Sequence, residues 1–149
     1  MSYLKQFGEL GRNDIEIAGG KAANLGELTR AGFPVPHGFV VSTDGYREFV
    51  AARGIGASIL DLAGSNGTEQ ASAEIQALFS GELPDDLRSE ITEAYAVLGA
   101  DVPVAVRSSA TAEDLAEASF AGQQDTYLNV RGAESVISAI TASMPRMFR

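Results

Sequence analysis

The chain contains no cysteine among its 149 residues, which removes disulfide bonding and thiol chemistry from its repertoire and suits a cytoplasmic protein. It also lacks any apolar run near the ~20 residues that a helix needs to cross a bilayer. The opening Met1-Ser-Tyr-Leu-Lys-Gln has no secretory pattern, so no membrane association is expected. Bases are scarce: 11 Lys and Arg stand against 20 Asp and Glu, a net charge of −9. Such a balance repels polyanions and argues against nucleic-acid binding. Any phosphate site must therefore be a local exception, and the few cations gain weight. There is one histidine, His37, and neither an internal repeat nor a low-complexity tract. What remains is a 45% hydrophobic chain of one domain's length, 1–149, large enough for a real core.

The most informative stretch runs from Val104 to Val130. Val102 to Val106 is a short β-branched run that predicts a buried strand, and Asp125 to Val130 alternates well enough to pair with it. Arg107 emerges at the end of the first strand. Between the strands lie Ser108, Ser109 and Thr111, an acidic segment, and then Ser119-Phe-Ala-Gly122-Gln-Gln, where small residues let the backbone approach a ligand. A triphosphate calls for backbone N–H groups, hydroxyls and a forked cation, and this segment holds all three. The same residues also fit an ordinary hairpin with a long polar loop, since Gly and Ser mark turns.

A second candidate lies near the start. Gly19 and Gly20 precede an amphipathic stretch with Ala22, Leu25 and Leu28 at helical spacing, which Gly32 and Pro34 end. Lys21 thus falls in the first turn of a helix, where the dipole disfavours a cation unless an anion docks at the same end. A solvated lysine that happens to open a helix is the plainer alternative. Two rival motifs fail. Gly20-Lys21 is no Walker loop, because Ile15 stands where its first glycine belongs and Ala22 where Ser or Thr should hold magnesium. Gly54-Ile-Gly56 lacks the third glycine of a dinucleotide fingerprint and reads as a helix exit.

Taken together, Val106-Arg-Ser-Ser-Ala-Thr-Ala-Glu-Asp-Leu115 with Ala118-Ser-Phe-Ala-Gly-Gln-Gln-Asp-Thr126 resembles the signature of the N-terminal nucleotide-binding domain of phosphoenolpyruvate synthases. Pyruvate phosphate dikinases and rifampicin phosphotransferases share this domain type. Gly19-Gly-Lys-Ala-Ala-Asn-Leu-Gly-Glu-Leu28 and Gly32-Phe-Pro-Val-Pro-His-Gly-Phe-Val-Val41 are similar to the start of the same domain. The resemblance covers about Phe7 to Tyr46 and Pro103 to Val130, with a loosely similar middle. It implies an α+β fold: the N-terminal part of an ATP-grasp domain, a mixed sheet with flanking helices and the hairpin as a lid. It implies ATP as the ligand, Lys21 as a phosphate contact, Arg107 as the catalytic arginine reaching the distal phosphates, and Gly122 and Thr126 in the phosphate-covering loop and the strand below it.

The resemblance also sets expectations about what lies elsewhere. Adjacent Glu113 and Asp114 invite a Mg2+ site, but Thr111 with Asp114 fits a capping box, and the family's magnesium carboxylates belong to a later segment, so the Mg2+ ligands are expected outside this chain. His37 sits in a Pro-Val-Pro-His-Gly-Phe turn and reads as a surface residue, the family's phosphohistidine lying in a separate domain. Family members continue for several hundred residues. The expected partners are the second half of the ATP-grasp fold, the phosphohistidine domain and a pyruvate-binding domain, and the cut edge predicts self-association. The whole enzyme would convert ATP, pyruvate and water to phosphoenolpyruvate, AMP and phosphate, with rifampicin phosphotransferase or pyruvate phosphate dikinase as variants. A non-catalytic nucleotide-binding or interaction module is the alternative of another class.

The segments between these motifs read as structural. Pro36 to Ser42 predicts a strand, and Ser42-Thr-Asp44 opens a helix with Tyr46, Phe49 and Val50 on one face. After the flexible connection Gly64-Ser-Asn-Gly67, Ala71, Ile75, Leu78 and Phe79 mark a second helix closed by Gly81. Pro84-Asp-Asp with Leu87, Ile91, Ala94, Tyr95 and Leu98 marks a third, ended by Gly99. A last helix is expected over Ala133 to Arg149, with Val136, Ile137, Ile140 and Met144 inward and Pro145 bending or stopping it. The ending Ser143-Met-Pro-Arg-Met-Phe-Arg149 departs from the family's usual continuation.

Overall fold

Strand β1 (Leu4–Gln6) pairs antiparallel with β2 (Phe39–Val41), in the register Leu4 opposite Val41 and Gln6 opposite Phe39. This is a computed structural model, and it describes residues 2–63, 73–74, 77–79, 81–108 and 126–144. Two short 3-10 turns, Phe7–Glu9 and Arg12–Asp14, lead into α1 (Ile15–Ala18) and α2 (Gly20–Arg30). After β2 come α3 (Thr43–Arg53), α4 (Gly56–Ala63) and α5 (Asp85–Leu98). The hairpin β3 (Val104–Arg107) and β4 (Thr126–Val130) is followed by α6 (Ala133–Ser143).

The helix starts follow local rules. Ser42 caps α3: its hydroxyl accepts from the Gly45 N–H at 3.4 Å and donates to the Tyr3 carbonyl at 2.8 Å, binding the helix start to the β1 side of the sheet. Gly54 closes α3 in the left-handed region at φ 63°, which glycine enters without strain. The helix exit expected there is also a helix entry, because α4 begins two residues on.

Small residues face inward on α2. Gly20, Ala22, Ala23 and Gly26 are buried, whereas Leu28, expected on the apolar side, is 42% exposed. The cause is a close backbone approach: a Cβ at Gly26 would lie 2.7 Å from the Leu10 carbonyl carbon, so only a glycine lets Leu10 settle on the helix. Leu10, Ala18 and Ala22 form a small core of their own with Val40 beside them.

The main core lies under α3, α4, α5 and α6, where Phe49, Ile59, Leu87, Ile91 and Val136 are almost completely buried. Phe79 stacks between Tyr46 and Phe49, with ring centroids 5.9 and 5.5 Å away. The helix expected through Ala71 and Ile75 lies partly outside the described residues; residues 73–74 and 77–78 of it are helical. The last helix is described through Ser143, with Met144 as its cap and buried.

The expected α+β class holds, but the described strands form two separate two-stranded antiparallel sheets in place of one mixed sheet. Among the described residues β1 pairs only with β2, and β3 only with β4. The helices between β2 and β3 do not carry β3 into register with the first pair. A space remains between the two sheets.

Candidate nucleotide site

That space is a cavity of about 570 Å³. Its walls come from the end of α1, the start of α2, the whole run from Val35 to Val41, and β3 with the residue that follows it. Lys21 and Arg107, drawn from two distant segments, both line it.

Each wall has a local cause. Gly19 separates α1 from α2 with a φ of 80°, a left-handed conformation that favours glycine. The reversal it allows puts Ala18, Lys21, Ala22 and Leu25 on the cavity. Lys21 is the second residue of α2, as its position in the sequence leads one to expect, and is half-buried. The segment after α2 holds Pro34 and Pro36, whose rings restrict the backbone to extended conformations. It then feeds β2, and Gly38 packs against Phe7 so closely that a Cβ would sit 2.6 Å from the ring.

The third wall is the hairpin. In β3, Val104 and Val106 are half-buried and Val104 packs with Val130 against the main core, while Ala105 and Arg107 are exposed. Arg107 pairs in register with Thr126 of β4. Thr126 is exposed and does not line the cavity. A register irregularity between Val104 and Val106 coincides with Asn129 at φ 54° on the opposite strand. The base of the hairpin is held by Tyr95 of α5, whose hydroxyl donates to the Val102 carbonyl at 2.7 Å and accepts the Gly132 N–H at 2.9 Å. Gly122, Glu113, Asp114 and the Thr111 capping box lie outside the described residues.

The electrostatics of the cavity run against those of the whole chain. Twenty of 149 residues are acidic, yet among the described residues no carboxylate lines the walls. The ionisable liners are Lys21, Arg107, His37, Tyr46 and Tyr95. Burial pushes the Tyr46 phenol above its ordinary range, so it is a neutral hydroxyl at any physiological pH. Apolar side chains such as Phe39, Leu25, Ile140 and Met144 supply much of the remaining surface. A cavity with cations and an apolar flank among its walls is chemically matched to an anion carrying an apolar group.

Residues 15–148 match the family model described as "Pyruvate phosphate dikinase, AMP/ATP-binding domain". The chain belongs to the pyruvate phosphate dikinase AMP/ATP-binding domain family. Within this family it is 47% identical to a probable phosphoenolpyruvate synthase of Methanothermobacter thermautotrophicus, over 99% of this chain and 23% of the relative. It is 48% identical to a probable phosphoenolpyruvate synthase of Methanocaldococcus jannaschii, over 99% of this chain and 14% of the relative. A phosphoenolpyruvate synthase of Pseudomonas aeruginosa is 43% identical, over 99% and 20%. The chain thus spans between 14% and 23% of the length of these relatives.

One contributor to the AMP/ATP-binding domain's cavity escapes a reading of the sequence. His37, expected as a plain surface residue, is exposed but lines the cavity. Ser108, already among the hydroxyls of the candidate segment, is buried and lines it beside Arg107. No local pattern marks His37 as a liner, because it becomes one only where the Val35–Val41 run, the start of α2 and β3 come to surround one space.

Proposed function

We propose that this chain is the ATP-binding portion of a phosphoenolpyruvate synthase-like phosphotransferase. In the whole enzyme, ATP phosphorylates a histidine on another domain and the phosphoryl group passes to pyruvate, so that ATP, pyruvate and water become phosphoenolpyruvate, AMP and phosphate. The observation that carries the reading is the convergence of Lys21 and Arg107 on one cavity, whose lining among the described residues includes no carboxylate. Lys21, at the first turn of α2, serves as a phosphate contact alongside the N–H groups of that turn. Arg107 serves as the forked cation on the distal phosphates and the catalytic group of this chain. Gly122 and Thr126 belong to the loop and strand that cover the phosphates. The names of the relatives favour pyruvate over an antibiotic as the final acceptor.

Magnesium fits the described residues poorly, since among them no group of three or more His, Asp or Glu side chains is placed to hold a metal ion. Phosphoryl transfer generally needs positioned metal ions, so the chain by itself binds nucleotide without turning it over.

A hydrogen bond to a charged group contributes about 1.5–3 kcal/mol. Arg107 is exposed and Lys21 half-buried, so solvent screening puts the pair at the low end of the resulting range. The expected affinity for ATP is then near millimolar, which corresponds to about 4 kcal/mol. Calorimetric titration of ATP into the chain tests this: Lys21→Ala and Arg107→Ala should each weaken binding several-fold, and the double variant should abolish it. Micromolar binding that survives the double substitution overturns the site.

A further inference from the structure

His37 lies on a rigid stretch of backbone. Proline precedes it at positions 34 and 36, Val35 N–H closes a tight turn onto the Phe33 carbonyl at 2.8 Å, and Gly38 is pinned against the Phe7 ring. A side chain carried by so restricted a segment loses little conformational freedom when it meets a ligand. His37 lines the same cavity as Lys21 and Arg107. The other ionisable groups on the walls are Tyr46 from α3 and Tyr95 from α5, and no carboxylate among the described residues faces the space to pair with a protonated ring.

We infer that His37 is a third phosphate-binding residue of this cavity, one whose positive charge is present only when the ring is protonated, so that affinity for the polyphosphate end of a nucleotide is pH-dependent. The inference rests on the nucleotide reading above. Lysine and arginine side chains as a class keep their charge across the range in which a histidine side chain changes it. The imidazolium therefore adds to a cationic pair that does not itself vary. At low pH the three cations act on the same anion. At high pH the neutral ring still offers one N–H.

ATP titrations of the chain at pH 5.5 and 8.0, run in parallel on wild type, His37→Gln and His37→Lys, test the inference. Phosphate oxygens also take up protons near pH 6, but that change belongs to the ligand and is common to all three proteins. Relative to His37→Gln, wild type should bind ATP about three- to fivefold more tightly at pH 5.5, the scale of a solvent-exposed charge pair, and equally at pH 8.0. His37→Lys should hold that advantage at both pH values. Adenosine, which has no phosphate, should bind all three proteins alike. Parallel pH profiles for wild type and His37→Gln overturn the inference while leaving the nucleotide site intact. Absence of ATP binding by folded wild type at either pH overturns the nucleotide reading and the inference with it. A His37→Lys variant that tracks His37→Gln shows that charge at this position is not sensed, and overturns the inference too.

Discussion

Gly26 illustrates how one residue settles the placement of a helix. Replacing a helical glycine with alanine ordinarily stabilises by about 1 kcal/mol. Here the new Cβ meets the Leu10 backbone and side chain, neither of which can swing away as a flexible side-chain tip would. We expect Gly26→Ala to destabilise by about 1–3 kcal/mol as an overpacked site, lowering the melting temperature by about 2–4 °C for each kcal/mol. A melting curve unchanged or raised would show that α2 can shift away from Leu10. Tyr46 makes a second residue-scale case. Burial raises its pKa in the folded state, while the unfolded phenol ionises near the usual value of about 10. The neutral form is the one that folds, so this contribution to stability is complete below pH 10 and is lost as pH rises beyond it. Denaturation measured from pH 8 to 11 should show stability falling above pH 10, and Tyr46→Phe should flatten that fall. Tyr3 adds to the same trend, raised by desolvation first and then by Glu48, Asp86 and Glu90 nearby.

Among the elements, the β3–β4 hairpin depends on a side chain that is not its own. Two strands of four and five residues are marginal alone. Packing of Val104 and Val130 against the main core and the two hydrogen bonds of the Tyr95 hydroxyl hold the pair in place. Tyr95→Phe leaves the Val102 carbonyl and the Gly132 N–H without this partner and should cost about 1–3 kcal/mol in denaturant unfolding. The Gly132 amide should also exchange faster with solvent. Unchanged exchange would mean that core packing alone carries the hairpin. The Arg88–Glu134 ion pair between α5 and α6 is a weaker tie, because both side chains reach solvent. Local sequence rules served well at this scale. Ser42, Gly54 and the Pro84-Asp-Asp start each appear where capping chemistry places them, since a cap is satisfied by groups two to four residues away. The sequence spacing misjudged α2, where Leu28 points to solvent. Periodicity reports which side of a helix is apolar, but not which backbone will press against it.

At the scale of the molecule, two short sheets stand on either side of a cavity whose walls are cationic in an acidic chain. Leu128 is 73% exposed on β4, in a sheet that has only two strands among the described residues. Sheet edges and apolar surface of this kind recruit partners. We expect the chain to self-associate, with light scattering giving a mass above 15.6 kDa that falls when Leu128 is replaced by lysine. A clean monomer at all concentrations would count against it. Among the described residues no helix is long and apolar enough to cross a membrane. The family and the first turn that carries Lys21 were legible in the sequence, because motif residues close together in the chain share one local geometry. Arg107 at the end of β3 and its partner Thr126 were legible for the same reason. Neither the split into two sheets nor the place of His37 beside the two cations could be read from spacing. Those facts depend on which segments come to surround one space, and folding brings Lys21, His37 and Arg107, 16 to 86 positions apart, to its walls through the burial of side chains elsewhere. By itself the sequence determined the family, the helix ends and the chemistry available. The tertiary structure alone decided which of those groups face one another, since burial and close approach act across space and leave no periodic trace along the chain.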